Sequence, residues 1–302
     1  MISLPIVRER FVFGGFMKRD AFSGFHPAVN FIFFISVMGF AVVILHPAFL
    51  TVGILGAAVY HFLLSGRRGL KQLLWMVPLL LAVALLNPLL NRNGQTVLFH
   101  VGSLPYTKEA LVYGMVLSGM LLAMLLWVSC YGAVMTGDKF TSLFGNLLPS
   151  LSLLLVMVFR MVPGLIRKGR QITGARRSVG KELKNTAEAV SVLSCLTTWA
   201  LEGSIVTADS MRSRGYGSAK RTGFMIYRMT RRDWVVLGVI LALSAGVIAA
   251  AVTGETTATF TPTWYIAPCS PVSLVLYGGL SFLPSLLHLL EALIWHISRS
   301  RI

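Results

Sequence analysis

The chain has 302 residues, a formal net charge of +16, 55% hydrophobic residues and only 13% charged ones. A soluble globular chain carries about a quarter charged residues, so this composition excludes an ordinary soluble domain and points to an integral membrane protein. The cysteines Cys130, Cys195 and Cys269 stand apart with no CxxC pair, so neither a cysteine zinc site nor a disulfide framework is indicated.

Residues 1–24 are polar and basic, with Arg8, Arg10, Lys18 and Arg19; they read as a cytoplasmic tail rather than a cleavable signal. A spanning helix needs about 20 apolar residues, fewer when tilted or shielded. Six stretches fit. The first two run about Ala28–Leu45 and Pro47–Leu64, a tight hairpin turned at His46-Pro47. The third, about Leu73–Leu90, carries Pro78 and Pro88, which predict a kink and an end. The fourth runs about Leu111–Met135, the fifth about Trp234–Val252 and the sixth about Val272–Ile297.

Between the fourth and fifth spans lies the region 136–233, which is not a polar domain. Its first half, "FTSLFGNLLPSLSLLLVMVFRMVPGLIRKGRQITGARR", begins apolar and ends basic, with kinks expected at Pro149 and Pro163. From Ala189 onward Val192, Leu193, Leu196, Trp199, Ala200, Gly203 and Val206 recur at three- and four-residue steps, with Ser191, Ser194, Thr198, Glu202 and Asp209 on another face. That periodicity predicts an amphipathic helix. Two helices are therefore expected, buried against each other and the membrane domain, with basic tips near residues 176 and 214. Gly180 follows one tip and Gly215 and Gly217 the other, because glycine ends a helix by adopting positive φ. Arginine in a last turn also suits the negative end of the helix dipole.

Lysine and arginine set the orientation. With the N-terminus in the cytoplasm, the outer loops, about 91–110 and 253–271, hold only Arg92 and Lys108, and the other 25 of 27 basic residues lie inside. Both termini are thus expected in the cytoplasm of a multi-pass protein of a prokaryotic cell membrane. The charge is explained without nucleic acid.

No GxxxxGKS/T loop is present to cradle ATP phosphates, and no HExxH. His26, His46, His61, His100, His288 and His296 are scattered without an i,i+4 pair, so no metal site is expected. No carboxylate sits in mid-span; Glu291 lies near the end of the last one. Ion-coupled carriers place ionisable groups at mid-membrane, and inverted-repeat carriers show two similar halves; the halves here are unlike. A membrane enzyme would need a polar catalytic cluster at the membrane face, and none is found. A stand-alone transporter or channel remains an alternative, as does a membrane-surface adaptor binding anionic lipid, which would need exposed basic residues along a helix face.

The residues resemble a known family: the transmembrane T component of energy-coupling factor transporters, the vitamin- and metal-importing branch of the ABC systems. That family carries two Ala-Arg-Gly signatures at the tips of two cytoplasmic coupling helices. Ala175-Arg176-Arg177 in "GARRS" and Ser213-Arg214-Gly215 in "RSRGYG" resemble them, with Arg177 in place of Gly and Ser213 in place of Ala. Tyr216, Gly217 and the later Arg221-Thr222 are similar to the surroundings of the second signature, Arg160 to Pro163 to an Arg-x-x-Pro segment, and "FHPAVNF" at 25–31 to the family's opening box. The resemblance covers about residues 24–297.

It implies an all-α membrane protein: a tail at 1–24, four spans in 25–135, a cytoplasmic coupling region at 136–233, and two spans with a short tail in 234–302. It implies a non-enzymatic subunit that binds no cofactor, partnered by two cytoplasmic ABC ATPase subunits, which use ATP, and by a membrane-embedded S component that captures a vitamin, transition metal or related micronutrient. Arg176 and Arg214 would each anchor one ATPase subunit, supported by Arg160, Pro163, Tyr216 and Gly217.

Overall fold

The computed structural model describes residues 21–90, 96–101, 104–144, 149–180, 185–216, 218, 227–260 and 265–299. The expected N-terminal tail falls almost wholly outside these residues, as do Arg92, Gly217, Lys220, Arg221 and Thr222. The chain is overwhelmingly helical. It sorts into two compact units, residues 1–136 with 229–302, and residues 137–228.

Among the described residues the first unit holds six long helices: α1 (Pro27–Val43), α2 (Pro47–Ser65), α3 (Arg67–Leu90), α4 (Lys108–Val134), α8 (Arg231–Val252) and α9 (Pro271–Arg299). Two short antiparallel hairpins join them where simple loops were expected. Strands β1 (Val97–Val101) and β2 (Leu104–Thr107) link α3 to α4, and β3 (Ala258–Thr259) and β4 (Tyr265–Ile266) link α8 to α9. Thr96 donates from its backbone N–H and its hydroxyl to Glu109, tying the first hairpin to the start of α4.

Helices α1 and α2 start with the same device. His26 and His46 are N-caps followed by Pro27 and Pro47, and each imidazole Nδ1 accepts the N–H of the residue two further on, Ala28 or Ala48, at 3.2 Å. Proline suits the first helical position, where its missing N–H is no loss. With Nδ1 accepting, the His46 Nε2–H is left to donate to the Ala267 carbonyl at 3.1 Å, beyond the β3–β4 hairpin.

The core is aromatic. Phe22, Phe33, Phe34, Tyr60 and Trp127 are fully buried and meet edge-on, Phe22 with Phe33 at 5.0 Å between centroids and Phe33 with Trp127 at 5.7 Å. Such pairs add to plain area burial. The buried stripe of α8, Asp233, Leu237, Ile240, Ser244 and Val247, recurs at steps of three and four, as one helix face requires. Small residues let helices approach closely elsewhere. A Cβ on Gly114 of α4 would sit 2.6 Å from the Ala84 carbonyl oxygen of α3, and one on Gly56 of α2 would sit 2.8 Å from Ser281 Cβ of α9.

Several boundaries differ from the sequence expectation. α3 begins at Arg67, directly after Gly66 turns the chain at φ +55°, so "RRGLK" is helix rather than loop. Pro88 lies inside α3, two residues before its end. It has no N–H for the Ala84 carbonyl, which is the atom that Gly114 approaches. Pro149 opens the helix that it was expected to kink, and Pro163 lies within that helix.

Among the described residues six helices are long and apolar enough to cross a membrane, making this an all-α membrane protein, but only five of them are among the six expected. α1 has 17 residues, an axial length of about 26 Å. A helix of the second unit, Thr186–Ser213, qualifies by length and composition. Three of its hydroxyls, on Thr197, Thr198 and Thr207, are satisfied within the helix by bonds to carbonyls four residues earlier.

Candidate functional site: two basic helix tips

The second unit contains α5 (Gly137–Phe144), α6 (Pro149–Ser178) and α7 (Thr186–Ser213). α6 and α7 run antiparallel. Lys168 Nζ stands 5.6 Å over the Trp199 ring, a Cβ on Gly169 would touch Leu196, and the Arg176 guanidinium donates to Ser191 Oγ at 2.9 Å. As α6 numbers rise, their α7 partners fall. From Ser191, beside the first tip, to Arg214 is 23 residues, so the two tips lie about 35 Å apart along α7.

The packing of α7 departs from expectation. It was expected to bury its apolar face, yet none of its residues is buried. Val192, Leu196 and Ala200 are half-buried at steps of four, a single stripe toward α6, while Leu193, Trp199, Gly203 and Val206 are exposed. One antiparallel neighbour covers one stripe, and the rest of the apolar arc is left open.

Both tips end on a glycine in the left-handed region, Gly180 at φ +77° and Gly215 at φ +79°. At the second tip the Gly215 N–H bonds to the Arg212 carbonyl at 2.9 Å and the Tyr216 N–H to the Met211 carbonyl at 3.0 Å. These are the paired bonds of a Schellman stop, with Arg214 the C-cap residue. At the first tip the Gly180 N–H makes the corresponding bond to the Arg177 carbonyl at 3.0 Å.

This shared capping geometry reveals a register that the sequence signatures obscure. Counted back from the glycine, Arg177 matches Arg212, whereas the signatures pair Arg176 with Arg214. Arg176 turns toward α7 and Ser191; Arg177, Arg212 and Arg214 are exposed, as are Ala175, Ser213, Gly215 and Tyr216. Among the described residues no side chain pairs with the Arg214 guanidinium. Arg160 and Pro163 sit in mid-helix on α6, about 24 Å and about 20 Å from Arg176 by rise per residue, so the structure does not bring them to the first tip. Arg212 and Ser191 were not singled out as site residues in the sequence. The three-residue distance from Arg177 and from Arg212 to the helix-ending glycine was the available signal.

No family model matches the chain. It is similar to the energy-coupling factor transporter transmembrane protein EcfT of Lacticaseibacillus paracasei, 29% identical over 195 residues that cover 59% of this chain and 72% of the relative. Its likeness is to the T component of energy-coupling factor transporters. The helices able to cross a membrane, six among the described residues, agree with that likeness and support a multi-pass membrane component of such a transporter. Each end of the second unit is a helix C-terminus, the negative end of a helix dipole, and each carries arginines there.

Proposed function

We propose that this chain is the energy-coupling membrane subunit of an importer for a vitamin, transition metal or related micronutrient. It acts as a non-enzymatic partner, binding no cofactor itself, between two cytoplasmic ABC ATPase subunits and a membrane-embedded S component. The observation that carries the reading is the antiparallel α6–α7 pair with an arginine-bearing, glycine-ended tip at each end.

In this reading α6 and α7 form a cytoplasmic coupling region, and the chain termini share that side. The tip residues are Ala175, Arg176 and Arg177 on α6 and Ser213, Arg214 and Gly215 on α7, with Tyr216 and Gly217 flanking the second. Arg160 and Pro163 act further back along α6. Each tip docks on one ATPase subunit through charge-assisted contacts worth about 1.5–3 kcal/mol each. ATP binding draws the ATPases together and moves the tips, and α6 and α7 shift against each other along the Val192–Leu196–Ala200 stripe. This is a shear of packed helices, and it passes motion to the S component. The Arg176–Ser191 bond keeps the first tip attached to α7 during the shift.

The test is the double variant R176A/R214A in the assembled transporter, scored by ATPase co-purification and by uptake. Loss of both is expected. Undiminished assembly and transport would remove the docking assignment. Flux by the purified chain alone, without ATP, would favour a stand-alone transporter instead.

A further inference from the structure

Helix α6 has a second charged feature, on the side away from α7. Its thirty residues contain Arg160, Arg167, Lys168, Arg170, Arg176 and Arg177 and no Asp or Glu. At about 100° per residue, Arg160, Arg167, Arg170 and Arg177 fall within an arc of about 100°. All four are exposed. Lys168, Gly169 and Arg176, which meet α7, lie on the opposite side. Among the described residues no side chain pairs with Arg160, Arg167 or Arg170. Val156 and Phe159, both exposed, occupy the same arc at its N-terminal end, one edge of the Phe159 ring lying beside Gly137 of α5. The face is therefore a strip, apolar at one end and cationic over about 25 Å at the other.

We propose that this strip binds the headgroups of anionic phospholipids, with Val156 and Phe159 entering the acyl region beside them. Clustered cations attract anionic headgroups through their charge, and a basic strip that carries its own apolar end matches the boundary between headgroup and acyl chain. An acidic protein surface would satisfy the arginines but offers nothing to the two hydrophobic side chains. The strip supplies what an anionic-lipid contact requires, exposed basic residues along a helix face, on α6 rather than α7. It uses a face of α6 distinct from the Arg176 contact with Ser191.

The experiment uses the purified full-length chain in detergent with acyl-labelled phosphatidylglycerol or phosphatidylcholine. Wild type is expected to prefer phosphatidylglycerol. R160Q/R167Q/R170Q is expected to weaken that binding by about tenfold or more and to leave phosphatidylcholine binding unchanged. The corresponding lysine triple variant keeps the charge and is expected to keep the preference. R8Q/R10Q/K18Q, which removes the same charge elsewhere, is expected to leave it intact. Equal phosphatidylglycerol binding by wild type and the glutamine variant overturns the proposal, as does equal weakening by the two glutamine variants. Failure of the lysine variant alongside the glutamine one assigns the loss to structural damage and also overturns it. A glutamine variant that keeps its lipid preference but no longer co-purifies the ATPase subunits makes the strip a protein-docking face, against the proposal.

Discussion

The backbone N–H of His26 donates to Asp233 Oδ1 at 3.1 Å, joining two helix starts that are 207 residues apart in the chain. The other carboxylate oxygen, Oδ2, accepts both the N–H and the hydroxyl of Thr230, each at 2.8 Å. One buried carboxylate thus fixes the entry to α8 and holds the entry to α1 against it. Asp233→Ala removes the acceptor of all three bonds and is expected to destabilise the protein by about 2–4 kcal/mol. Thermal unfolding in detergent measures this, and Asp233→Asn, which keeps one carbonyl acceptor, is expected to fall between. A wild-type Tm for the alanine variant would show that the junction is held by packing alone.

Gly114 and Gly132 lie on the same helix and predict opposite responses. A Cβ at Gly114 would press on the Ala84 carbonyl oxygen at 2.6 Å and on Asn87 Cβ at 2.9 Å, whereas one at Gly132 meets nothing within 4 Å. Gly132→Ala is expected to be neutral or stabilising by up to about 1 kcal/mol through helix propensity. Gly114→Ala is expected to destabilise by about 1–3 kcal/mol, because backbone must move to admit the methyl group. The two unfolding curves, recorded side by side, decide it; a stabilised Gly114→Ala would mean that α3 and α4 separate freely.

His46 does two things at once, capping α2 through Nδ1 and reaching Ala267 through Nε2. Asparagine can do only the first. His46→Ala is expected to lower stability by about 2 kcal/mol, and His46→Asn to recover the capping share of about 1 kcal/mol. Hydrogen exchange across residues 257–270 should rise in both, since neither side chain reaches the Ala267 carbonyl. Unchanged exchange there would show that the β3–β4 hairpin is held independently of His46.

At the second tip the test is comparative. Arg214→Ala is expected to weaken co-purification of the ATPase subunits by roughly tenfold to a hundredfold, while Lys220→Ala leaves it near wild type. Gly215→Val keeps Arg214 but places a β-branched side chain at φ +79°, a conformation that such residues strongly avoid. It is expected to weaken docking as well. Equal losses from Arg214→Ala and Lys220→Ala would reduce the tip to bulk positive charge.

What the sequence disclosed follows from which forces act locally. Runs of apolar residues marked α2, α4, α8 and α9 to within a few residues, because length and hydropathy are local properties. Gly180 and Gly215 marked the helix ends for the same reason, since a positive φ is a property of one residue. The hairpins between α3 and α4 and between α8 and α9 were missed. Val97–Val101 and Leu104–Thr107 are too short for a strand signal inside so apolar a chain. The Asp233–His26 bond joins distant segments and leaves no local trace. The exposure of α7 was misjudged because periodicity reports which residues share a face, not whether a neighbour covers it. At the candidate site, matching signatures paired Arg176 with Arg214, whereas counting back from the two glycines, whose backbone bonds end the helices, puts Arg177 in register with Arg212.

Running α6 and α7 in opposite directions has a geometric consequence. The pair has an approximate twofold axis midway along it and perpendicular to its length. That axis exchanges one helix C-terminus, with its arginines and its glycine, for the other. Two like subunits that associate with each other do so about a twofold axis, and a single chain has no such axis of its own. Here one chain with unrelated halves would present the same kind of end to each of two similar partners, in the same polarity, without being a dimer itself.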